Sequence, residues 1–281
     1  MTSAVPQTIT LPGDRVVGYA EYGDPEGAPV LYCHGIPGSR LEGVAFAAAA
    51  AAAGLRIVAV DRPGLGRSEF VPRTRVADWA ETVAALADRF DWERFAVIGV
   101  SGGGPYALAC AHALGERVRA VTVVSAPAPF TPGDERRNLL ALRRFPFLAR
   151  PLAARLAARV RRPGGVAELI ARMPVVDRDR VVEHPHMALE LSANVAEAFR
   201  QGSRGVAADM RVLAGDWGFA LRDITIPVLI WHGDGDRNVP VADAHRLAAE
   251  LPRGRAVVVP DAGHLLVIDH AERILAAMHA D

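Results

Sequence analysis

The chain contains no lysine: all 32 of its basic residues are arginine, set against 32 acidic residues for a formal net charge of zero. That balance argues against a nucleic-acid partner, which calls for a basic excess or a basic stripe. Alanine and glycine are abundant alongside arginine, the bias a GC-rich coding sequence produces, so the missing lysine needs no functional cause. Cysteine is scarce. Cys33 and Cys110 are too few for a disulfide framework, and each lies in an apolar run. Buried free thiols and a reducing, cytoplasmic setting are expected. No uninterrupted apolar stretch reaches the length of a bilayer. The longest candidate, Val44 to Val60, is broken by Gly54 and Arg56, and no membrane partner is expected. The N-terminus lacks the charged and apolar regions of a secretory leader.

What is present is a large apolar fraction, 51% of 281 residues, enough to bury a sizeable core. Short apolar runs alternate with amphipathic stretches. Strands are predicted at 29–33, 56–60, 95–100 and 118–124, with helices at 40–53, 76–90 and 105–114 between and after them. The strands read as continuous apolar runs, which indicates burial on both faces. This rhythm predicts an α/β fold: a mostly parallel, twisted sheet with helices on both sides. Two earlier runs around Pro12-Gly13-Asp14 predict an opening antiparallel hairpin. From 130 to 219 no strand is evident, and prolines divide a helical, arginine-rich stretch into short pieces. The rhythm resumes with strands at 228–231 and 256–259 and helices at 241–251 and from 270. The expected organisation is a core of residues 1–129 and 220–281 with a helical insertion at 130–219.

Gly99-Val100-Ser101-Gly102-Gly103 ends a buried strand and opens a helix. In that setting the G-x-S-x-G pattern marks a nucleophilic serine on a sharp, strained turn. Gly99 and Gly103 support the turn by leaving out side chains that would collide, and Pro105 suits the first helical turn. Acyl transfer also needs backbone N–H groups aimed at a developing oxyanion. Gly102 supplies one, and Ile36, in His34-Gly35-Ile36-Pro37-Gly38, is the candidate for the second. His34 reads as a structural hydrogen-bonding residue.

A serine hydroxyl needs a base, and nine histidines are available. His264 follows a strand on a loop, where parallel sheets carry their functional groups. His232 is the competitor. Among the acids, Asp234 and Asp236 both follow the penultimate strand; Asp236 is the choice and Asp234 the runner-up. Asp261 reads as a turn former. Ser101, Asp236 and His264 fall in the chain order nucleophile, acid, base.

Together with Asp61-Arg62-Pro63-Gly64-Leu65-Gly66-Arg67-Ser68, these motifs resemble the α/β-hydrolase fold family along nearly the whole chain. The likeness is strongest to its esterase-like, haloperoxidase-like and prolyl-iminopeptidase-like branches. The resemblance implies a helical cap made by the insertion and a serine esterase acting on a small molecule without metal or organic cofactor. Ser101 sets the chain apart from epoxide hydrolases and haloalkane dehalogenases, which carry aspartate at that position. Two alternatives stay open: a prolyl-iminopeptidase-type aminopeptidase, with Glu168, Glu183, Glu190 and Glu197 as cap carboxylates, and a slow-turnover ligand-binding protein. The oligomeric state is not legible. The arginine run is expected to be a solvated face paired with carboxylates. Phe130, Phe145, Phe147, Met173, Met187, Phe199, Trp217 and Phe219 are expected to pack within the insertion or line an apolar pocket.

Overall fold

The strands that read as continuous apolar runs lie side by side in one eight-stranded sheet. The structure, a computed structural model, describes residues 7–130 and 137–278, with the side chains of 137–140 excepted. The strands are β1 (Gln7–Leu11), β2 (Arg15–Gly23), β3 (Ala28–Cys33), β4 (Leu55–Val60), β5 (Phe95–Val100), β6 (Val118–Val124), β7 (Val228–Gly233) and β8 (Gly254–Val259). Their spatial order is β1-β2-β4-β3-β5-β6-β7-β8. The β1–β2 and β2–β4 pairs are antiparallel and the remaining pairs parallel, so the expected opening hairpin forms one edge of a parallel sheet.

Strand alternation divides the core in two. In β5, Phe95 and Val97 enter a cluster with Trp79, Val83 and Leu108, whereas Ala96, Ile98 and Val100 enter a second cluster with Phe46, Ile274 and Leu275. The period of two thus sends successive residues to opposite, equally dry faces. Helices α2 (Trp79–Arg89), α3 (Gly104–Leu114) and α10 (Val241–Glu250) cover the first face; α1 (Ala47–Ala52) and α11 (Val267–Ala277) cover the second. Both cysteines are buried free thiols, as expected.

Helix boundaries differ from the pattern in three places. The stretch 40–53 divides into a 3-10 segment, Arg40–Phe46, and α1. Helix α2 begins at Trp79 rather than Val76, because the Asp78 carboxylate takes the N–H groups of Thr74 and Arg75 and holds the chain in a turn. The last helix starts earlier than 270, at Val267.

Among the described residues, six α-helices lie between β6 and β7: α4 (Arg137–Arg144), α5 (Ala149–Val160), α6 (Gly165–Ala171), α7 (Val175–Glu183), α8 (Pro185–Ala198) and α9 (Arg204–Ala214). They enclose an apolar cluster of their own, with Leu142, Ala153, Ala157, Phe199 and Val206, joined by Leu65 from the loop after β4. Among the described residues no helix is long and apolar enough to cross a membrane.

Candidate active site

Ser101 sits immediately beyond the end of β5 with φ +51°, a left-handed conformation that a non-glycine residue holds only under strain. The glycines around it explain how the turn closes. A Cβ on Gly99 would stand 2.5 Å from the Gly103 carbonyl oxygen, and one on Gly103 would run into the Cys33 and His34 carbonyls. The second clash refines the expectation: Gly103 clears the neighbouring strand β3, not a side chain of its own turn. Pro105 lies in the first turn of α3, as read from the sequence.

The hydroxyl projected by this turn meets His264. Ser101 Oγ and His264 Nε2 are 2.9 Å apart, and His264 Nδ1 lies 2.7 Å from Asp236 Oδ2. Burial alone would hold the His264 imidazole below its ordinary value, but the hydrogen bond to Asp236 and its charge carry it above 6.5. Burial would likewise raise the Asp236 carboxyl. Hydrogen bonds from His232, His264 and the Val239 N–H instead hold it far below the usual carboxylate range. Asp236 Oδ1 also accepts the N–H groups of Asn238 and Val239, at 2.8 and 2.9 Å, which holds the carboxylate in place independently of the histidines.

The competing residues have other duties. His232 is fully buried beneath Asp236, with Nε2 3.0 Å from the Val239 carbonyl and 3.4 Å from Asp236 Oδ2. Asp234 accepts the Asp261 N–H at 2.8 Å and so ties the loops after β7 and β8. Asp261 turns the chain at φ +56°. His34 accepts the Arg62 N–H at Nε2 and donates from Nδ1 to the Gly35 carbonyl at 2.8 Å. Burial and the nearby Arg62 charge keep it well below its ordinary value.

Ile36 and Gly102 lie against each other: a Cβ on Gly102 would be 2.7 Å from Ile36 Cγ2. Among the described residues the Ile36 N–H has no protein acceptor. Two chambers share Ile36, Ser101 and His264 in their walls. The first, about 310 Å³, is walled by Phe130, Leu142, Leu152, Met210, Leu213 and Trp217. The second, about 250 Å³, is walled by Leu41, Met173, Met187, Leu191 and Val267, with Glu42 and Glu190 among its polar residues. Of the four carboxylates named from sequence, Glu190 lines this chamber. Glu168, Glu183 and Glu197 are occupied by Arg159 and Arg162, by Arg180, and by Arg40 and Arg200.

Pattern reading missed a set of buried polar residues on the helices between β6 and β7. Asn194, on α8, accepts the Ser39 N–H at 2.7 Å and its hydroxyl at 2.9 Å, and donates to Glu42 at 3.0 Å. Glu42 in turn accepts the Gly35 N–H at 2.8 Å and the Tyr32 hydroxyl at 3.0 Å, and burial pushes its carboxyl up. Asp177, on α7, accepts the Leu265 N–H at 2.8 Å, beside His264. Asp209, on α9, pairs with Arg62 at 2.7 Å and with Arg73 at 3.3 Å, and takes the Tyr106 hydroxyl at 2.5 Å. Arg62 spends its remaining donors on the His34 and Gly35 carbonyls. Three successive helices therefore each hold a loop beside Ser101: the one after β3, the one after β8, and, through Arg62, the one after β3 again. Each of these helices carries several polar residues, and nothing in the local pattern separates Asp177, Asn194 or Asp209 from the others.

Asp209 is fully buried. Burial would raise its carboxyl, yet the Arg62 and Arg73 charges bring it down to about 2. Asp209→Asn would strand the buried Arg62 charge, and a loss of ~3–5 kcal/mol in unfolding free energy is expected by denaturant titration. The sign with pH follows: a carboxyl depressed on folding stabilises the fold above its unfolded value, and that contribution disappears as pH falls through the folded one.

The alpha/beta hydrolase fold family matches residues 28–271, and the chain belongs to that family. It is 30% identical to a non-heme chloroperoxidase of Streptomyces lividans over 253 residues, 87% of each chain. With a poly(3-hydroxyalkanoate) depolymerase of Ectopseudomonas oleovorans it shares 27% identity over 95% of this chain and 89% of the other. Among solved structures, a thermophilic esterase from Thermogutta terrifontis is similar with a TM-score of 0.71 and 26% identity, covering 98% of this chain and 96% of that one.

Proposed function

We propose that the protein is a serine hydrolase that cleaves a carboxylic ester, or a related acyl bond, of a small apolar molecule through an acyl-enzyme. The observation that carries this reading is the continuous chain Asp236–His264–Ser101, at 2.7 and 2.9 Å, at the junction of two apolar chambers. In this reading His264 Nε2 takes the Ser101 proton as Oγ attacks the carbonyl carbon. Asp236 holds the imidazole with its proton on Nδ1 and stabilises the cation that forms. The Ile36 and Gly102 N–H groups bind the oxyanion at the start of α3, where the helix dipole adds to them. His264 then protonates the leaving oxygen. Water, activated by the same imidazole, releases the acid and regenerates Ser101.

In the same proposal, residues 130–219 form a cap on a core of 1–129 and 220–281. The two chambers lie where these parts meet, one for each arm of the ester. Fluorophosphonate labelling, followed by a p-nitrophenyl ester series and an aminoacyl-naphthylamide series, tests the reading. Covalent labelling of Ser101 with prompt ester turnover is the expected result. Faster turnover of the amides would move the protein to the aminopeptidase alternative, with Glu190 facing the substrate amine. Absence of labelling would remove the hydrolase reading in favour of a binding protein.

A further inference from the structure

Of the eight large hydrophobic side chains exposed among the described residues, seven lie in the segment between β6 and β7. Four of them, Phe145, Phe147, Leu148 and Leu152, are close in sequence, and Phe147 is 70% exposed. Neither phenylalanine takes the place expected from sequence, in a packed interior or a pocket wall. Their rings are 6.0 Å apart, and the Arg144 guanidinium lies 5.6 Å from the Phe145 ring. On α5 the apolar stripe continues as a basic one, since Leu148, Leu152, Arg155 and Arg159 recur at helical spacing.

The charge along this stretch of sequence has one sign. From Arg137 to Ala167 the sequence holds eight arginines and no aspartate or glutamate. Arg159 and Arg162 share Glu168, and Arg161 donates to the Phe199 carbonyl. Among the described residues no carboxylate pairs with Arg143, Arg144, Arg150 or Arg155. The expected solvated face paired with carboxylates therefore holds only for the end of the run. The patch is also continuous with the site, because Leu152 lines the first chamber.

An exposed apolar patch of this kind marks a surface that something covers. Its chemistry selects the occupant. A second copy docked face to face would set this arginine cluster against its own image. An anionic lipid surface accepts both parts at once, with phenyl rings at the headgroup boundary and guanidinium groups on phosphates.

We propose that the face formed by Phe145, Phe147, Leu148 and Leu152 with Arg143, Arg144 and Arg155 docks on an anionic lipid surface. The mouth of the first chamber then meets the membrane, and an apolar ester can pass from lipid towards Ser101. That last step rests on the serine-hydrolase reading; the docking does not. Resting on a surface needs no spanning helix, so this proposal departs from the sequence-based expectation of no membrane partner.

Sedimentation of the full chain with sucrose-loaded vesicles tests it. Binding to mixed phosphatidylcholine–phosphatidylglycerol vesicles should exceed binding to phosphatidylcholine alone by more than about ten-fold, since each arginine at an anionic surface contributes roughly five-fold. Raised salt should weaken it. Phe147→Asp should reduce binding by about ten-fold or more while leaving turnover of a water-soluble short ester unchanged, because the side chain is exposed and lines neither chamber. Arg144→Glu/Arg155→Glu should do the same. Equal or absent binding to the two vesicle types overturns the proposal, as does a dimer in light scattering that Phe147→Asp dissolves. Docking without ester turnover would uphold the surface and sink the hydrolase reading. Turnover without docking would do the reverse.

Discussion

Ser101→Ala is expected to lower ester turnover by about 10⁴-fold or more, with KM little changed. Removing a nucleophile that works as one unit with its base removes nearly all that the unit contributes. Geometry makes the expectation specific. Ser101 Oγ is the group 2.9 Å from His264 Nε2, and the tight β5–α3 turn leaves no room for another side chain to replace it. Residual activity should come from the Ile36 and Gly102 N–H groups and from the chambers. Undiminished turnover in purified variant would end the serine assignment. A companion variant separates chemistry from strain. Alanine keeps the unfavourable left-handed backbone at φ +51°, whereas glycine relieves it. Ser101→Gly should therefore be inactive yet more stable than Ser101→Ala by ~1 kcal/mol, the left-handed penalty less the greater freedom of unfolded glycine. Denaturant midpoints of the pair measure this.

The second large effect is expected from Asp236→Asn. Asp236 Oδ1 is committed to the Asn238 and Val239 N–H groups, so the substituted amide keeps its oxygen there and turns its NH₂ towards His264. That NH₂ cannot accept from Nδ1, so the imidazole adopts the tautomer with Nδ1 bare and the proton on Nε2. An Nε2–H cannot take the serine proton, and a fall in kcat of about 10⁴-fold is expected. The pH profile carries an independent sign. In the proposed mechanism only neutral His264 can act as the base, and Asp236 raises its pKa, so the acid limb of kcat/KM in the parent should lie above the ordinary imidazole value. In the variant the limb should move to lower pH. A variant with full activity and an unmoved limb would show that another residue orients the base.

The parts of the fold that were legible in the sequence are those in which one physical demand writes a local pattern. Strands buried on both faces must be apolar throughout, as β5 and β7 are, and those runs marked the sheet. A serine on a forbidden turn demands glycines at fixed offsets, and that marked Ser101. Loops beyond strand ends marked Asp236 and His264. Residues whose partners lie far along the chain left no such pattern. Asn194 meets Ser39 across 155 positions, and Asp209 meets Arg62 across 147. On its own helix each is one polar residue among several, of the kind any amphipathic helix contains. The same limit applied to Phe145 and Phe147. Periodicity showed that they were apolar, but which helix faces pack together is decided by tertiary contacts that a window of sequence does not hold.

Asp177, Asn194 and Asp209 have a consequence for how this scaffold can change. The helical segment cannot be treated as an interchangeable module. A graft of equal length and apolar pattern, but without these three side chains, would leave the Leu265 amide without its acceptor and the Ser39 amide and the Arg62 guanidinium stranded in a dry interior. Such a chimera would lose its working loops before its new walls met a ligand. Redesign of the chambers therefore has freedom at residues such as Leu142, Met173 and Met187. The three polar positions must travel with the scaffold, which makes them natural anchor points for building variant segments.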